Sequence, residues 1–181
     1  MTGAPRIWAA SVGRVDEHAG DDSGQAGRSS AEPAPDLREM LRAPAWHGVH
    51  RWPAGIRSED VARTATQLGW RVYRLDTRGI DGKRAVIRRF VADLGLPDYT
   101  GGNWDALEEC LGDLPVGGSS GVVLLWRGWR SFADAGPAAM DVATQVLTSV
   151  ADQWRDQTGY GVVALMAKRR PDADGRDSGT A

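Results

Sequence analysis

Gly121-Val-Val-Leu-Leu-Trp126 is an unbroken apolar run of strand length, entered from the Gly/Ser-rich link that spans Pro115 to Gly121. An alternating strand buries one face, whereas a continuous run of this kind is consistent with burial on both. A second run of the same character, Tyr160-Gly-Val-Val-Ala-Leu-Met166, lies downstream. Between them Ala139, Val142, Ala143, Val146, Leu147, Val150 and Trp154 keep helical spacing. Pro137 suits the first turn of that helix, which runs to about Gln157 and is closed by Gly159. Two strands of this type joined by a helical crossover predict a parallel pair.

Upstream, Trp70-Arg-Val-Tyr-Arg-Leu75 alternates as a third strand. A helix precedes it, with Ser58 as the expected N-cap, Val61, Ala62, Ala65 and Leu68 as its stripe, and Gly69 at its end. Another follows from Lys83 to about Leu94, with Val86, Ile87, Phe90, Val91 and Leu94 on its core side and Gly95 as its stop. The expected fold is α/β, a small three-stranded parallel sheet packed with helices over residues 46–168. Residues 1–45, rich in Gly, Ala, Ser, Asp and Pro, read as a disordered tail with a short helix at Asp36–Arg42. The charged residues 169–181 read as a second disordered tail.

The chain has 181 residues, 41% of them hydrophobic, which suits one domain with additional segments. A net charge of −2 favours neither a nucleic-acid binder nor a membrane-surface protein, so local asymmetry carries the information. The single cysteine, Cys110, rules out an internal disulfide framework and a Cys-rich zinc site, and it reads as a buried, inert thiol. His47 and His50 share one short segment, but with no third ligand nearby they are not read as a metal site. No run approaches the roughly 20 apolar residues that span a bilayer. The first residues also lack the apolar run of a secretory signal, so the cytoplasm is the expected compartment.

Charge is most unevenly distributed between Phe90 and Trp126, where six carboxylates occur and no Lys, Arg or His. Asp105, Glu108 and Glu109 lie in Asn103-Trp-Asp-Ala-Leu-Glu-Glu-Cys-Leu111. On a helix they fall within one arc about 100° wide, while Trp104, Leu107, Cys110, Leu111 and Leu114 fall opposite. Asn103 supplies an N-cap. A greasy back and a clustered anionic front call for a cationic partner. The helix dipole alone accounts for Asp105, but hardly for Glu109 or Asp113.

Leu96-Pro-Asp-Tyr-Thr-Gly-Gly-Asn-Trp-Asp-Ala-Leu-Glu-Glu-Cys-Leu111 resembles the central segment of the barstar family, intracellular inhibitors of barnase-type ribonucleases. The resemblance extends from about Trp70 to Ala167 and includes the order of elements. It implies a barstar-like fold without catalysis or cofactor, in which the acidic helix and the loop before it plug the active site of a basic ribonuclease. Carried onto this chain, Tyr99 is the loop contact and Asp105 and Glu109 are the anchors that take the place of RNA phosphate. The Gly101-Gly102 pair lets the backbone approach, and Glu108 adds an auxiliary charge. The family commonly has Asp where Glu109 stands, and barstar has an aromatic residue where Glu108 stands. A further family acid on the last helix corresponds to Asp152 or Asp156. The resemblance implies a protein that is a monomer when free.

An enzyme is the rival from another class, since paired carboxylates serve in glycoside hydrolysis. Carboxylates on one solvated helix face do not flank a substrate bond, however, and no phosphate-binding loop or Ser-His-Asp set accompanies them. Direct RNA binding is disfavoured by the sign of the charge on this face. The remaining alternative is a barstar-like immunity or adaptor module for a different toxin or protein partner.

Overall fold

The computed structural model describes residues 36–100 and 102–166. Most of both expected tails therefore lies outside the described residues. The elements run α1 (Leu37–Arg42), β1 (Gly48–Arg51), α2 (Ser58–Gln67), β2 (Arg71–Asp76), α3 (Lys83–Leu94), α4 (Trp104–Gly112), β3 (Val122–Arg127), α5 (Trp129–Ala135), α6 (Pro137–Thr158) and β4 (Gly161–Leu165). Short 3-10 turns at Pro44–Trp46 and Asp98–Thr100 fill two of the connections.

The sheet is parallel, as expected, but it has four strands where three were expected, in the order β1-β4-β3-β2. The additional strand is β1, which pairs along the free edge of β4 from Gly48 opposite Val162 to Arg51 opposite Leu165. Its sequence, Gly-Val-His-Arg, contains one apolar side chain, so no period marks it. Register with β4 makes it a strand, and its first three residues are half-buried.

Alternation along the central strands divides the core in two. Val122, Leu124 and Trp126 of β3, with Val163 and Leu165 of β4, face α3, α4, α5 and α6. Val123 and Leu125, with Val162 and Ala164, face the opposite way and are covered by α1 and α2 through Met40, Leu41, Val61, Ala62 and Ala65. The doubly buried reading of both apolar runs thus corresponds to a sheet with a helical layer on each face. The short helix expected at Asp36–Arg42 is α1, capped by Asp36, and its Met40 and Leu41 are buried in the second layer.

Local signals account for most element ends. Gly95 (φ +65°) and Gly159 take the left-handed conformation that closes α3 and α6. Helix α2 begins at Ser58, with Arg57 rather than Ser58 in the cap position. Arg57 instead donates to Asp60 at 2.7 and 3.0 Å, tying down the first turn. Helix α5 is seven residues anchored by Trp129 and Phe132, too short to announce itself by periodicity. At Gly161 β4 runs close against α6: a Cβ there would lie 1.9 Å from the Ala151 carbonyl oxygen. Two buried indoles are anchored by hydrogen bonds, Trp126 Nε1 donating to Thr77 Oγ1 (2.8 Å) and Trp129 Nε1 to the Met166 carbonyl (3.1 Å). Among the described residues, no helix is long and apolar enough to cross a membrane.

Candidate functional site

The acidic helix forms as its sequence requires. Asn103 sits in extended conformation ahead of α4, and its side-chain oxygen accepts from the Asp105 backbone N–H at 3.3 Å. The apolar side packs as expected: Trp104, Leu107, Cys110, Leu111 and Leu114 are all buried. At the far end Trp154 Nε1 of α6 donates to the Leu111 carbonyl at 3.1 Å. Gln153 lies against Gly112, where a Cβ would come within 2.2 Å of its side-chain oxygen. Both ends of α4 are therefore held, and its outer face is presented on a rigid element.

On that face Asp105, Glu109 and Asp113 are exposed and Glu108 is half-exposed. Among the described residues, none of the four makes an ion pair, although the same protein pairs Asp60, Asp76 and Asp93 with arginines. Four carboxylates within about two turns repel one another, and among the described residues no ion pair relieves them. A cationic surface placed against them removes that repulsion.

The loop before α4 is fastened to it. Thr100 is fully buried, and its hydroxyl donates to the Pro97 carbonyl (2.6 Å) and approaches Cys110 Sγ (3.5 Å). Its neighbour Tyr99 is 74% exposed, the most exposed large hydrophobic side chain among the described residues. The hydrogen-bonding Cys110 thiol holds the Tyr99 hydroxyl above its ordinary value of 10, and the Glu109 and Asp113 charges push the same way. The ring thus borders the acidic face. Gly102 has φ +84°, a conformation that favours glycine, and a Cβ there would lie 3.7 Å from Arg84 Cγ. Gly101 lies outside the described residues.

Tyr99, Gly102, Asp105, Glu108 and Glu109 are thus gathered on one loop-and-helix surface. Asp152 and Asp156 sit on α6 and are electrostatically different, since Arg155 pairs with the first at 3.0 Å and the second at 3.8 Å. Two neighbours of the site escaped the sequence. Lys83 Nζ lies 5.7 Å from the centroid of the Trp104 ring, and Arg84 runs beside Gly102, both from the first turn of α3. The only available signal was the basic pair opening α3, with nothing to say that it would face this loop.

Away from this surface, His50 Nε2 and the His47 carbonyl lie 2.5 Å apart, and the His47 ring meets Tyr160 edge-on at 5.4 Å. Among the described residues, no group of three or more His, Cys, Asp or Glu side chains could hold a metal ion. A family model described as Barstar (barnase inhibitor) matches residues 70–165, more than half of the chain. It leaves α1, β1 and α2 outside. No curated protein matches the chain.

Proposed function

The chain belongs to the barstar family, and from that premise we propose that it binds and inhibits a basic, barnase-type ribonuclease by seating α4 and its preceding loop in the nuclease active site. The observation that carries the proposal is the row of exposed carboxylates on α4 with no cation among the described residues to pair them. Asp105 and Glu109, one turn apart, present two anions where the nuclease would otherwise hold RNA phosphates. Glu108 adds charge between them. Tyr99 supplies an exposed ring at the border, and Gly101 and Gly102 allow close backbone approach. Complementary fields speed capture of a cationic partner before it meets RNA. The protein performs no catalysis in this role, needs no cofactor, and acts as a monomeric antitoxin in the cytoplasm.

The test is inhibition of a purified barnase-type ribonuclease by the protein and by its Asp105→Ala/Glu109→Ala variant. Tight inhibition by the parent, lost in the folded variant, is the expected result. A folded parent that leaves the nuclease active would retire that target. The second reading, an immunity or adaptor role toward a different toxin or protein partner, is favoured by Glu108 and Glu109. There the chain departs from the family pattern by an added charge and a longer reach.

A further inference from the structure

Two cations that form no ion pair among the described residues lie at the N-terminal end of the acidic helix. Lys83 and Arg84, both exposed, open α3 beside Trp104 and Gly102, immediately before Asp105. Among the described residues neither forms an ion pair, and neither do Asp105, Glu108 or Glu109. Opposite charges on adjoining elements are therefore left open to solvent and to a partner. A surface made only to attract cations would gain nothing from this pair, because every partner cation nearby meets repulsion from it. A partner that covers the pair without offering an anion also leaves two charges desolvated and unpaired.

We propose that Lys83 and Arg84 are specificity-determining residues. They bar uniformly cationic surfaces from the acidic face and fit it to a protein whose cationic cleft is bordered, on the α3 side, by a carboxylate. This rests on the reading of α4 as the contact face and adds a condition on the partner. The acidic row sets the attraction, and the basic pair at its N-terminal end sets a polarity. Charge complementarity then has a direction, and an unstructured run of lysines cannot satisfy both ends.

The test uses the full chain and two fluorescein-labelled peptides, an oligolysine and the same oligolysine ending in a pair of glutamates, titrated by anisotropy at low ionic strength. Three proteins are compared: the parent, Lys83→Glu/Arg84→Glu, and Arg38→Glu/Arg42→Glu. The last carries the same charge change on α1, behind the sheet, where both arginines are exposed. The readout is the affinity ratio of plain to Glu-ended peptide. Reversal at Lys83 and Arg84 should raise that ratio by roughly fivefold, the scale expected of two modest surface charge contacts. The α1 variant should match the parent. Equal ratios in all three proteins, or equal rises in both variants, overturn the proposal. So does a rise that persists after Asp105→Ala/Glu109→Ala is added, since the peptide would then lie elsewhere. Nuclease inhibition that survives such a result leaves the function of α4 standing and removes only the role of the basic pair.

Discussion

Replacing Asp105 by Ala separates a residue made for binding from one made for folding. Its carboxylate is exposed and, among the described residues, makes no ion pair; the backbone N–H at the same position is already capped by Asn103. Its stabilising contribution is then the interaction of a first-turn anion with the helix dipole, about 0.3–1 kcal/mol. Against that stands repulsion from Glu108 and Glu109, three and four positions on, about 0.2–0.5 kcal/mol each. The two nearly cancel, so stability should change by under about 1 kcal/mol, a Tm shift below about 4 °C for a chain of this size. Binding should respond quite differently. Close charge pairs in the barnase–barstar complex couple by about 1.5–7 kcal/mol, a range that belongs to that pair itself, and the proposed function predicts a loss of binding on that scale. Thermal unfolding and nuclease inhibition measured on the same preparation check both halves. A Tm lowered by about 8 °C or more would show that the carboxylate holds the fold and refute the assignment. So would unchanged inhibition of a nuclease that the parent inhibits.

Gly161→Ala places a methyl group against the Ala151 carbonyl, and it should cost about 2–3 kcal/mol in urea unfolding by prising α6 from β4. A change under about 0.5 kcal/mol would mean that the two elements part freely. His47 should make stability depend on pH. Burial first, then the Arg155 and His50 charges, hold its pKa below the ordinary 6.5, Asp152 opposing them, and among the described residues its Nε2 has no hydrogen-bond partner. The unfolded chain therefore takes up the proton first. The stabilisation is complete above about pH 6.5 and is lost as pH falls through the folded-state value. Urea midpoints at about pH 7.5 and pH 5.5 should differ in the parent and converge in His47→Phe; an unchanged difference in that variant places the effect elsewhere.

Where periodicity was strong and a glycine closed the element, the sequence was enough. Helix α3 runs from Lys83 to Leu94 as read, and the two sides of α4 are buried and exposed as its angular arrangement requires. Strand β1 was not legible because Val49 alone supplies no period; the open edge of β4 makes it a strand. Helix α5 is too short for a stripe. Around the site, the Thr100–Cys110 contact and the approach of Lys83 to Trp104 join residues on different elements. Such contacts are products of packing, and no spacing within one helix encodes them.

The two-sided sheet also gives the molecule a front and a back. Helix α4 and Tyr99 belong to one layer and α1 to the other, with β3 and β4 between them. A label, surface tether or fusion partner joined through α1 would leave the sheet on the far side from the carboxylates. Immobilised by that side, the protein would keep the acidic helix turned toward solution, which makes its own architecture a natural handle for capturing whatever binds there.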